Sequence, residues 1–310
     1  MCTFQEPSDR ASIAAEPRAE PECMGFRGGA MKRAWWIIGI SLLAAAAQAT
    51  PVALQSMTLG QGPTIVVIHN LGGSRTMWLP TVRKLTSRYR VVLVDLPGHG
   101  SSPMPDPFSL DAGAEAIAQV LAAQKAESTI VVGQGMGALM ALLALEAHPE
   151  RARGLVAVEM TLKKQFPISE QQRQSFLTFM DQSYDFFLKQ MFYALGRDSA
   201  QSVALHAQAM QVPQAVMKAY VREMVNFDPS DRARKARTPM LLLATDRIWS
   251  AAKDSSAFAA LMGYDAVTAP FTLRHIPDCG VMVATERPDT LAALISGFAH
   301  QVLATKTAAR

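Results

Sequence analysis

Six short runs of aliphatic and β-branched residues, separated by longer stretches with helical spacing, constrain this chain more than any other feature. They are "TIVVIHN" (64–70), "RVVLVDL" (90–96), "STIVVG" (128–133), "GLVAVE" (154–159), "PMLLLAT" (239–245) and "FTLRHIP" (271–277). A strand with one face in water alternates apolar and polar residues. These runs are apolar almost throughout, which requires burial on both faces. Residues 110–124, 136–148 and 284–304 carry apolar side chains at helical spacing. Doubly buried strands alternating with helices predict an α/β fold, with a mostly parallel central sheet flanked by helices. A chain of 310 residues that is 49% hydrophobic can fill such a core.

One interval breaks the rhythm. Residues 160–237 hold no strand run and many helix formers, which predicts a helical cap inserted into a core domain made of residues 50–159 and 238–310. Phe176, Phe179, Met180, Tyr184, Phe186, Phe187, Met191, Phe192 and Tyr193 recur there at steps of three and four. Most are expected to pack the insertion, and some to line a pocket from above.

The first 49 residues read differently from the rest. From Met31, the pair Lys32 and Arg33 precedes an apolar run from Ala34 to Ala47, and Ala47-Gln48-Ala49 follows as a small-x-small cleavage site. That order predicts a signal peptide over 31–49, export to the periplasm or medium, and a mature chain that starts near Thr50. The apolar run is short and alanine-rich for a bilayer-spanning helix, so no stable membrane span is expected after cleavage. Residues 1–30 are polar and patternless, and they read as a mis-assigned upstream extension with the true start at Met31. Cys279 is then the single cysteine of the mature chain, which allows no internal disulfide.

Charge excludes one class of partner. Lys and Arg number 30 against 26 Asp and Glu, without a long basic run, so no nucleic-acid groove is expected. "RARKAR" (232–237) reads as a solvated connector. No His-x-His or Cys-x-x-Cys pair is present, and neither a metal nor any other cofactor is expected. Oligomeric state leaves no trace in the sequence.

Chemistry is expected around "VVGQGMGALM" (131–140), where Gly133, Gly135 and Gly137 surround Gln134 and Met136. A dinucleotide-binding Gly-x-Gly-x-x-Gly loop is excluded because Ala138 stands at its last place. Together with "VVIHNLGGSRTMW" (66–78), "VVLVDLPGHGSSP" (91–103) and "IPDCGVMVATERPDTLAALISGF" (276–298), this stretch resembles the α/β-hydrolase superfamily of esterases, lipases and dehalogenases over residues 52–303. The resemblance implies a nucleophile at the turn between strand and helix, followed in the chain by an acid and a histidine. Here the nucleophile position is Gly135 and the histidine position is Val281, so neither acyl-enzyme formation nor proton transfer can occur at those places.

The remaining parts of the implied machinery persist. Asp246 stands at the acid position, and Glu159 at an alternative one. The backbone N–H groups of Leu71 and Met136 match the two oxyanion donors, with Asn70 in place of the usual glycine. His275 reads as structural, and so do His69, His99, Ser74, Ser101 and Ser102. The resemblance implies that Gly135→Ser with Val281→His would restore ester hydrolysis.

Three functions remain open at this point. The first is a pseudoenzyme that binds a small apolar or ester-like molecule between sheet and cap. The second is an active hydrolase, carboxylesterase-like, or a lyase with a non-standard mechanism through Asp246 or Glu159. The third is an envelope protein that recognises a partner through its cap surface.

Overall fold

The computed structural model describes residues 52–249 and 254–304; the expected signal peptide and the residues before it lie outside the described residues. Seven strands form one sheet: β1 (Ser56–Leu59), β2 (Thr64–Ile68), β3 (Arg90–Val94), β4 (Thr129–Gln134), β5 (Gly154–Val158), β6 (Met240–Thr245) and β7 (Phe271–Ile276). Their order across the sheet is β1-β3-β2-β4-β5-β6-β7, with β1 antiparallel to β3 and the other neighbours parallel. The sequence predicts six of these strands. It does not predict β1, whose four residues alternate between exposed and half-buried at the sheet edge.

Burial on both faces explains why the inner strands are so apolar. All five residues of β2 are buried. Val66 and Ile68 point into one hydrophobic cluster, whereas Ile65 and Val67 point into the other. This is the period-two alternation of a strand between two helical layers. The helices that follow β2 and β3 are α1 (Leu79–Leu85) and α2 (Leu110–Ala122). Helix α3 (Met136–Ala147) follows β4, packs on α2, and is buried at every position from Met136 to Leu145. A helix apolar on all sides needs such enclosure.

Between β5 and β6 come α4 (Glu170–Gln182), α5 (Tyr184–Tyr193), α6 (Ser199–Ala209), α7 (Gln214–Asn226) and α8 (Ser230–Lys235). After β6 follow α9 (Asp246–Trp249), α10 (Ser255–Met262), α11 (Val283–Glu286) and α12 (Pro288–Ala304). The expected single helix over 284–304 is thus divided before Pro288, whose ring disfavours a helical conformation at Arg287. A capping box between Ser169 and Gln172 starts α4, and the Asp198 side chain accepts from Gln201 N–H to start α6.

The insertion has its own small core, with Leu177, Met180, Phe187, Val221 and Val225 buried together. Phe179 and Phe186 remain exposed. Tyr220 is buried and donates its hydroxyl to Pro97 O at 3.0 Å, which ties α7 to the loop after β3. The basic stretch 232–237 keeps Arg234, Lys235 and Arg237 exposed, as a solvated connector would, but Arg232 departs from that reading. Most of it is helix α8, and Arg232 bridges Glu146 at 2.6 Å and Asp111 at 2.9 Å. Partial burial against α3 turns one of its charges into an anchor. Among the described residues no helix is long and apolar enough to cross a membrane.

Candidate functional site

The turn between β4 and α3 is held by close contacts. Gly135 takes φ 51° and ψ −114°, a region that strains any residue with a side chain. Its N–H donates to Val158 O at 2.9 Å. Two residues on, a Cβ on Gly137 would lie 2.3 Å from His69 O, so α3 can approach β2 only as glycine. The turn is strained, and its apex carries no side chain.

Beside the apex, the loop after β2 brings Leu71 N–H within 2.8 Å and Met136 N–H within 3.0 Å of a single atom. That atom is Oδ1 of Asn70. The two N–H groups expected from the sequence to act as donors therefore converge, and the carboxamide oxygen of Asn70 occupies the point where they meet. A Cβ on Gly135 would lie 2.2 Å from the same Oδ1. Asn70 fills space that a side chain at the apex would require.

Two histidines fix this loop. His69 Nε2 accepts Leu96 N–H at 3.1 Å, and His99 Nε2 accepts Gly72 N–H at 3.1 Å. Their Nδ1 atoms stand 2.7 Å from Asn70 O and 3.1 Å from Pro97 O, where each must donate, so both rings are neutral with the proton on Nδ1. Burial lowers their pKa to about 3 for His69 and about 4 for His99. Both are structural, as the sequence suggests.

At the histidine position, Val281 is buried in the core cluster and its backbone oxygen accepts Gln134 Nε2 at 2.6 Å. The Val281 side chain itself cannot carry a proton. The nearby thiol of Cys279 gives no substitute, because burial pushes it up to about 12 and it donates to Ile276 O at 3.2 Å.

Asp246 is paired away from the apex. Asp246 Oδ1 lies 2.8 Å from His275 Nε2, and Oδ2 accepts Asp278 N–H at 2.7 Å. His275 also stacks on Trp249 with ring centroids 4.9 Å apart. Neither Asp246 nor His275 lines the cavity at the apex. The pairing was missed from sequence, although register carries a signal: Ala244 sits opposite His275 in the β6–β7 ladder, which sets Asp246 near the imidazole.

Glu159 is the carboxylate that does face the apex. It follows β5 with φ 51°, an unusual value for a residue with a side chain, and its N–H donates to Leu243 O at 2.8 Å. Its side chain is 1% exposed. Thr245 Oγ1 donates to Oε1, as does Arg247 Nε at 3.2 Å, while no protein group donates to the buried Oε2. The ends of β5 and β6 carry this charge inside.

These groups open into a cavity of about 460 Å³. Asn70, Leu71, Gly135, Met136, Glu159 and Arg247 form its floor, and Phe166, Met191, Phe192, Leu195 and Met224 come from the insertion. The prediction that some aromatic and methionine residues of the insertion line a pocket is met by Met191 and Phe192.

Residues 65–294 match the model of the alpha/beta hydrolase family. The chain belongs to this family. Among similar proteins, the pimeloyl-[acyl-carrier protein] methyl ester esterase of Aeromonas hydrophila is 41% identical over 101 residues, 32% of this chain and 38% of that protein. The protein of the same name from Pseudoalteromonas atlantica is 32% identical over 114 residues, 36% of this chain and 43% of that protein. The α/β-hydrolase chain thus spans about two fifths of the length of these curated relatives. Among solved structures, a thermophilic esterase from Thermogutta terrifontis superposes with a TM-score of 0.67 at 19% identity, covering 83% of this chain and 99% of the other. A hydrolase from Oleispira antarctica gives a TM-score of 0.67 at 17% identity, with 79% and 94% covered. Likeness at that identity supports the fold alone.

Proposed function

We propose that this α/β-hydrolase-family protein binds a small apolar or ester-like molecule in the cavity over Gly135 and does not hydrolyse it through a Ser-His-Asp triad. The observation that carries this reading is Asn70 Oδ1, which accepts from both Leu71 N–H and Met136 N–H at a turn with no side chain. A hydrolase needs those donors free for the developing oxyanion. Residues 160–237 act as the cap over the cavity, and residues 31–49 direct export to the periplasm or medium.

A second reading, an active ester hydrolase, has two supports of its own. The named relatives are esterases, which weighs towards hydrolysis more than towards binding alone. Glu159 supplies a buried carboxylate oxygen without a protein partner beside the apex. In this mechanism the Glu159 carboxylate takes a proton from water as the water oxygen attacks the ester carbonyl, Asn70 swings aside to release the two N–H donors, and the carboxyl then gives that proton to the departing alkoxide as the C–O bond breaks, leaving acid and alcohol. Hydrolysis of p-nitrophenyl butyrate by the parent and by Glu159→Gln separates the readings. Turnover in the parent that falls at least a hundredfold in the variant establishes the enzyme, while background rates in both leave the binding protein.

A further inference from the structure

Beside the cavity over Gly135 lies a smaller space of about 20 Å³, with Gly72, Gly73, Gln134 and Val281 in its wall. That is room for a water molecule and not for an alkyl chain. Asn70, Leu71, Phe192 and Leu195 line both spaces, whereas Gly72 lines only the smaller one. The ring of Phe192 reaches Gly72. A Cβ there would lie 2.4 Å from Phe192 Cζ and 2.5 Å from Cε1, so the ring tip rests on the bare backbone of the loop after β2. We propose that Phe192 is the specificity-determining residue of the site: its ring closes the cavity towards Val281 and so limits the length of unbranched apolar chain that binds. This rests on the binding reading above and adds to it the size of molecule bound.

The seat of the ring is rigid. Gly72 takes φ 74°, which favours glycine, and its N–H is held by His99 Nε2 at 3.1 Å. Phe192 itself is 4% exposed, and the same Cβ on Gly72 would lie 3.3 Å from Ala209 Cβ, so α6 stands beside the ring. An aromatic side chain so enclosed cannot turn aside without losing its packing. Met191 and Met224 differ in kind. Their unbranched side chains adapt to ligands of different width, which leaves length as the dimension that the site discriminates.

The test titrates the purified full chain by calorimetry with 2-hexanone, 2-octanone, 2-decanone and 2-dodecanone, whose carbonyl resembles that of an ester and cannot be hydrolysed. Each further methylene buried tightens binding about fourfold, so affinity in the parent should rise along the series and halt where the chain meets the ring. In Phe192→Ala the halt should come at least one member later, because the lost ring leaves its space to the ligand. Phe192→Leu and Phe187→Leu each remove a ring from α5, but Phe187 belongs to the small core of the insertion and not to the cavity wall. Only the first of these should move the halt. A halt unchanged by both Phe192 substitutions, or moved equally by Phe187→Leu, overturns this inference and leaves the binding reading intact. A parent whose affinity rises through 2-dodecanone also overturns it. Failure of every ketone to bind the parent overturns both. If Phe192→Ala does not fold, the comparison of the two leucine variants decides.

Discussion

Returning a serine to Gly135 should be opposed by Asn70, and the structure fixes by how much. A Cβ at this position would lie 2.2 Å from Asn70 Oδ1 and 2.6 Å from its Cγ, whereas real Cβ contacts do not fall below 3.0 Å. The carboxamide must therefore leave its place and give up two hydrogen bonds, of 2.8 and 3.0 Å, each worth about 1 kcal/mol net. The backbone at φ 51° adds strain of about 1–3 kcal/mol for a non-glycine residue. Gly135→Ser should thus destabilise by roughly 3–5 kcal/mol in urea unfolding. With Asn70→Gly already present only the strain remains, so the two substitutions should cost about 2 kcal/mol less together than their sum. Additive stabilities would refute the reasoning.

Acid should destabilise the fold through the oxyanion loop. His69 and His99 titrate near 6.5 when unfolded but near 3 and 4 when folded, so the unfolded chain binds more protons between those values. Stability is full above about pH 6.5 and falls with pH from there, by on the order of 2 kcal/mol per unit near pH 5, and a flat urea midpoint between pH 6.5 and 4.5 would contradict it. Tyr220→Phe should lose about 0.5–1.5 kcal/mol, the net worth of one hydrogen bond, because Pro97 O keeps its bond from His99 Nδ1, and the loss should read as a lower urea midpoint. Leu142→Ala in the enclosed helix α3 should cost about 2–5 kcal/mol, read as a lower urea midpoint with an unchanged slope.

Much of the architecture was legible because it depends on local pattern. The apolar runs place β2 to β7 within a residue or two, and the helix formers of 160–237 place five helices between β5 and β6. Strand β1 escaped notice because four residues with alternating burial leave little apolar signal. The basic stretch at 232–237 misled at one position because charge density says nothing about a partner: Arg232 meets Glu146 at a separation of 86 residues.

The sequence by itself determined what two positions cannot do. Gly135 has no hydroxyl and Val281 no imidazole, and no tertiary arrangement can supply atoms that the side chains lack. Only the tertiary structure decided what the remaining groups do. Asn70 Oδ1 reaches Met136 N–H across 66 residues, and Thr245 reaches Glu159 across 86. Asp246 turns to His275 instead of to the vacated position. Each of these outcomes depends on which side chains meet when parallel strands align their ends, and that geometry arises from packing between segments distant in the chain.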